Sequence, residues 1–312
     1  MSLGRKLVPG IVTVLAMGGL GAYLFDQRAH WIDHYALRPL PVLGIALLVV
    51  AALGLRASAN QSLFGRLRVR ARWGDWFALV TVNSFSNYLP LSAGLVAKAF
   101  YLKRVHSMPY TEFAVGQVAL FLLVVATNGM VGLAIVLLFG STGVGWVAAG
   151  FAAMCAAGAL AFSPASATRF LTRRRFPWNE AAVSAIREAA PRVIPLQLVV
   201  LIATAASLQL GFAMGEAQVG FAACVIFSAA TVITRLVAIT PGGLGVREFL
   251  VGGLAVLTGF ELRDAVIAST LTSLVELGVI FVLGGAFTYR LSGRVASTYD
   301  SGSEPGAEPE SR

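Results

Sequence analysis

The chain has 312 residues, of which 57% are hydrophobic and 12% charged, and its mean hydropathy is +0.78. A soluble domain carries about a quarter charged residues, so a soluble enzyme is excluded and an integral membrane protein is implied. Net charge is +9; residues 300–312 carry four acids and one arginine, which leaves +12 on residues 1–299. The basic residues lie between apolar runs and not on one soluble face, which speaks against nucleic acid and for loops facing anionic headgroups.

About 20 apolar residues suffice to cross a bilayer. The first run, 7–25, follows Arg5 and Lys6 and is not ended by a clear small-residue cleavage site. It is predicted to be a spanning helix and not a cleavable signal. The second run covers 39–57. Arg56, Arg66, Arg68, Arg70 and Arg72 follow and predict a cytoplasmic loop, with a surface amphipathic helix over 60–75. Run 76–102 is broken at Asn87-Tyr88-Leu89-Pro90. Runs 112–139 and 143–163 come next, then a basic stretch from Arg169 to Arg192 with a surface helix over 179–190 capped by Asn179. Run 193–213 precedes a second broken run, 218–259, interrupted at Thr240-Pro241-Gly242-Gly243-Leu244-Gly245. Run 265–289 is the last, followed by Arg290 and Arg294. The Ser-, Gly-, Pro- and Glu-rich end is predicted to be disordered, giving a transmembrane domain over 1–290 and a cytoplasmic tail over 291–312.

Proline and glycine weaken a helix interior, and non-helical backbone at membrane depth survives only against protein or a wet cavity. If both broken runs were single spans, Lys103 and Arg104 would fall outside and the later basic loop would flip as well. If each is a re-entrant hairpin, every basic stretch faces the cytoplasm. The predicted fold class is therefore an all-α, polytopic membrane protein with about six spanning helices and two re-entrant hairpins. It is expected in the inner (cytoplasmic) membrane with both termini in the cytoplasm. The two breaks share Pro, then Gly four residues on, then a cation: Pro90, Gly94, Lys98 and Pro241, Gly245, Arg247. Such matched breaks point to an inverted repeat with a midplane site. Trp31, Trp73, Trp76, Trp146 and Trp178 are all expected at membrane edges.

Polar groups in a bilayer are costly and mark function by default. Asn83 and Asn87 share a helix face and, with Tyr88, either satisfy freed backbone or line a polar cavity. Lys98 either snorkels to headgroups or meets a lipid phosphate. Arg235 and Arg247 either pair with Glu248 or Glu276 or cradle an anion in bidentate fashion. A helix opening after Gly242, Gly243 and Gly245 would present free N–H groups to that anion.

No nucleophile–His–acid set, HExxH, P-loop or dinucleotide fingerprint occurs, so no enzyme activity is expected, and transport would be passive or gradient-coupled. Cys155 and Cys224 read as small buried hydrophobes. His30 and His34 have no third ligand nearby, and neither a metal nor a cofactor is expected.

Asn87-Tyr88-Leu89-Pro90 with Gly94 and Lys98, and above all Thr240-Pro241-Gly242-Gly243-Leu244-Gly245-Val246-Arg247-Glu248, resemble the two signatures of the lysylphosphatidylglycerol synthase transmembrane-region, or flippase-like, family. The resemblance runs from about residue 7 to 290. It implies a polytopic domain with re-entrant helices that handles aminoacylated phospholipid, glycolipid, polyprenyl-linked sugar or hopanoid. By it, Pro241, Gly242, Gly243, Gly245, Arg247 and Glu248 carry over directly, and Asn87, Pro90, Gly94 and Lys98 by the weaker signature. Leu95 stands where the family often has an acid, Lys98 where it often has Arg, and Gly116-Gln117 where a Glu-Arg pair is common. No soluble aminoacyl-transferase domain is expected after the last helix. The expected function is a membrane-lipid translocase with an anionic headgroup as ligand. The alternative is a non-transporting accessory protein or scaffold for a membrane-bound lipid-modifying enzyme. Oligomeric state is not readable.

Overall fold

A computed structural model describes residues 38–67, 69–88, 93–139, 145–159, 180–215, 217–234 and 243–300, with four isolated positions before residue 27. The predicted first span, Pro90, the stretch 235–242, the tail beyond 300, Trp31, Asn179 and Trp178 lie outside the described residues.

Every described element is helical. They are α1 (Pro39–Arg66), α2 (Trp73–Ser86), α3 (Ala93–His106), α4 (Tyr110–Phe139), α5 (Gly145–Ala159), α6 (Glu180–Met214), α7 (Phe221–Ala230, extended by a 3-10 turn to Ile233), α8 (Val246–Leu257) and α9 (Leu262–Asp300). Four helical stretches are long and apolar enough to cross a membrane: Pro39–Arg66, Tyr110–Phe139, Ser184–Met214 and Leu262–Gly293. At 1.5 Å per residue, each exceeds the roughly 30 Å of a hydrocarbon core.

Several expectations change. The run predicted to stop at residue 57 continues as helix to Arg66, so no surface helix begins at residue 60. The reason is burial: Leu63 and Phe64 are fully enclosed. The predicted surface helix over 179–190 is instead the start of α6, which continues through Pro191 and Pro195. Ile186, Ala189, Ala190 and Val193 pack with Ala59, Leu63 and Leu120, and this packing holds the helix together across the prolines. The helix α9 runs to Asp300, beyond the domain boundary placed at residue 290. Trp76 is wholly buried, whereas Trp73 and Trp146 are exposed.

Of the four long helices, α1 and α9 run one way and α4 and α6 the other. In α1 and α6, Arg66 pairs with Glu188 at 2.8 Å, while a Cβ on Gly44 would stand 2.8 Å from Leu210. One end of α1 therefore meets the opposite end of α6. The end of α1 also meets the start of α4, where Phe64 stacks on Phe113 at 5.9 Å. Since α2 and α3 connect those two points, the pair leaves and returns to the same end of the bundle. The same holds for α7 and α8. They join the end of α6 to the start of α9, which meet where a Cβ on Gly211 would lie 2.8 Å from the Ala268 carbonyl.

The halves share a packing plan. Exchanging α1–α4 for α6–α9 exchanges the α1–α2 contact with α6–α7, α2–α3 with α7–α8, and α2–α9 with α7–α4. The α4–α5 hairpin joins the halves through small residues: a Cβ on Gly158 would lie 2.6 Å from the Ala126 Cα. Gly158→Leu should therefore force α5 off α4 and cost about 1–3 kcal/mol. Thermal unfolding in detergent should show a clear drop for Gly158→Leu and none for Gly150→Ala, which has open space around it.

Candidate functional site

The two folded-back pairs and the long helices enclose a cavity of about 340 Å³, within the range of small-ligand sites. Its walls are stripes of single helices. From α1 come Val49, Ala52, Leu53, Arg56 and Asn60, which recur at the three- and four-residue steps of one helix face. The α6 wall is Gln197, Thr204 and Ser207, and the α9 wall is Thr272, Glu276 and Ile280. Each returning arm supplies one cation, Lys98 from α3 and Arg247 from α8.

Arg247 Nη1 donates to Glu276 Oε2 at 2.8 Å, and both side chains are mostly shielded, at 15% and 17% exposure. Its Nε–H is buried without an acceptor. The Arg56 carbonyl accepts from Asn60 Nδ2 at 2.7 Å, while its guanidinium has no hydrogen-bond partner among the described residues and lies within electrostatic reach of Glu276 and Arg247. Lys98 is 4% exposed. Its Nζ donates to Asn60 Oδ1 at 2.5 Å and Gln117 Oε1 at 3.0 Å. The rings of Phe64, Trp76 and Phe113 stand 5.0, 5.8 and 5.8 Å from that nitrogen. Snorkelling to the headgroups is thus ruled out for this lysine.

Of the other predicted site residues, Asn83, Asn87, Tyr88 and Gly243 also line the cavity. The Asn83 side-chain oxygen is buried and unpartnered. Asn87 ends α2, its N–H donating to the Asn83 carbonyl at 3.1 Å. Gly94 does not line the cavity. It lets α3 approach α2, since a Cβ there would lie 2.3 Å from the Asn83 carbonyl oxygen. Gly243 and Gly245 have φ of +78° and +83°, the region glycine enters without penalty.

Glu248 serves the framework. Fully buried, it accepts the Gly245 N–H at 2.6 Å and the Ser273 hydroxyl at 2.6 Å, so the side chain at N3 reaches back to the N-cap N–H and ties the start of α8 to α9, with no reciprocal bond from the glycine. The free N–H groups expected for an anion at this helix start are therefore partly committed to Glu248. Pro90, Arg235, Thr240, Pro241 and Gly242 lie outside the described residues.

Sequence reasoning missed Arg56 and Asn60, assigning Arg56 to a cytoplasmic loop. The available signal was their four-residue spacing on the apolar stripe of the preceding run. Gln117, noted only as a family departure, is a direct partner of Lys98.

Chemically, the cavity offers three basic side chains, one carboxylate, and amides and hydroxyls on most walls, which suits an anion with polar substituents. Among the described residues, no group of three His, Cys, Asp or Glu side chains gathers to hold a metal.

No curated protein and no solved structure matches the chain. Residues 8–284 match the family model described as the lysylphosphatidylglycerol synthase TM region. With that match over most of its length, and with four helices able to cross a membrane, the chain belongs to this family and is a multi-pass, lipid-related membrane protein.

Proposed function

We propose that the chain binds the anionic headgroup of a membrane lipid in this cavity and moves the lipid between leaflets. The observation that carries this reading is the imbalance of the cavity, where among the described residues Arg56, Lys98 and Arg247 stand against Glu276. A phosphate would meet the Arg247 Nε–H and the Arg56 fork, where charge-assisted bonds are strong. Acyl chains would remain outside, against exposed apolar faces such as Leu43, Leu47 and Val50 on α1 and Leu274, Phe281 and Val282 on α9.

In this reading the pairs α2–α3 and α7–α8 are re-entrant hairpins of an inverted repeat. The first enters from the cytoplasm and the second from outside. With segment 7–25, the helices α1, α4, α5, α6 and α9 make six spans. Both termini are cytoplasmic, and the membrane is the inner one. Antiparallel α1 and α6, and the shared packing plan of the halves, support this arrangement. Alternate access would follow from rocking of one half against the other.

Labelled short-chain phosphatidylglycerol in proteoliposomes tests the activity. Quenching of the inner-leaflet label should outpace protein-free vesicles. It should slow about tenfold or more in Arg56→Gln, given the roughly 1.5–3 kcal/mol of a hydrogen bond to a charged group. Arg66→Gln, which alters only an exposed surface pair, should match the parent. An unchanged Arg56→Gln rate would sink the anion site. Retained lipid without flipping would favour the accessory role.

Single cysteines test the topology. Arg72→Cys and Arg104→Cys should react with an impermeant maleimide from the same face of oriented vesicles, and Gly220→Cys and Glu261→Cys from the other. Labelling of Arg72→Cys and Arg104→Cys from opposite faces would replace the first hairpin by a full span.

A further inference from the structure

We infer that Lys98 couples anion binding to proton uptake: the side chain takes a proton as the anion enters the cavity and releases it as the anion leaves. This rests on the anion-binding reading above and adds to it a source of energy for transport.

The inference comes from a mismatch of donors and acceptors. A neutral amine has two N–H bonds, and two acceptors are present, Asn60 Oδ1 and Gln117 Oε1. An ammonium has three, and among the described residues the third finds no acceptor. No counter-ion is supplied either. Among the described side chains, the elements packed against Lys98 carry Arg56 and Arg66 on α1, Asp75 on α2, Tyr110 and Glu112 on α4, and Arg263, Asp264, Glu276, Tyr289 and Arg290 on α9. On α3 itself are Tyr101, Lys103, Arg104 and His106. None of these bonds or pairs with Lys98.

Three aromatic rings favour a cation, while enclosing a charge without a counter-ion opposes it, so what occupies the cavity decides the outcome. An anion within about 4–6 Å favours the ammonium and supplies the missing acceptor. By linkage, the proton strengthens anion binding by the same factor. The proton comes from water and returns to water, so one phosphodiester anion and one proton move together without net charge.

The test is titration calorimetry on the full chain in detergent with short-chain phosphatidylglycerol, whose phosphodiester does not titrate near neutral pH. Repeating it in buffers of different ionisation heat counts the protons taken up per anion bound. The wild type should take up about one, and Lys98→Arg, whose guanidinium is always charged, should bind and take up none. Glu276→Gln should still take up a proton. Binding heat that is independent of buffer in the wild type overturns the coupling and leaves the anion site standing. Uptake that persists in Lys98→Arg but vanishes in Glu276→Gln also overturns it, moving the proton to Glu276. Absence of any binding heat in the wild type removes the anion site and the coupling together. Should Lys98→Arg not fold, the wild-type count and the count in Lys98→Gln decide.

Discussion

A charge inside an apolar helix bundle must be paired, wetted or surrounded by dipoles, because its transfer from water costs several kcal/mol. The chain meets this constraint differently at each of its interior cations. Arg247 is held by Glu276. Lys98 has two amide oxygens and an aromatic wall. The Arg56 guanidinium has no hydrogen-bond partner among the described residues and stands on the cavity wall, within electrostatic reach of Glu276. The polar lining on α1, α6 and α9 surrounds that charge with dipoles.

The same constraint explains the broken helices. A continuous helix satisfies its own backbone and can turn a residue toward the interior only by its stripe. In the proposed arrangement a folded-back pair ends within the bundle and can aim an arm. The ends of its helices then need partners of their own. Glu248 closes the start of α8 through Gly245 and Ser273, and Gly94 brings α3 against the Asn83 carbonyl. Each motif residue that seemed chemical on spacing alone therefore divides into two groups. Lys98, Arg247, Asn83 and Glu276 face the cavity, while Glu248, Gly94 and Gly245 build the turns that place them.

Much of this was legible in the sequence, because proline, glycine and charge are unusual in apolar runs and stand out when they occur. The two breaks, the helical class and the Arg247–Glu276 alternative could all be read from residue type and spacing. The extent of α1 and α6 could not. Arginines after residue 55 look like a loop, since burial of Leu63 and Phe64 is a tertiary fact. Pro191 and Pro195 look like a helix start for the same reason, because the contacts that carry α6 through them come from α1 and α4. Arg56 was lost with the end of its helix, and the burial of Trp76 was not readable because an indole is as much at home in a core as at an interface.

The departures from the family pattern take on meaning at Lys98. Where the family often has Arg, this chain has an amine, and at Gln117 the partner is an uncharged amide. Arginine at this place would be permanently charged and would need an anion or a carboxylate at all times. Lysine with asparagine and glutamine does not, since two acceptors satisfy two N–H bonds and leave the third position to a ligand. Lys98 and Gln117 suit each other in this chain: an amine that can release its proton meets a neighbour that carries no charge. The cations also differ in what carries them. Arg56 sits on a long helix whose register against α6 is set along its length, whereas Lys98 and Arg247 ride on the folded-back pairs. In the proposed cycle, motion of either pair changes the distance from its own cation to Arg56, and with it the number of positive groups a headgroup meets.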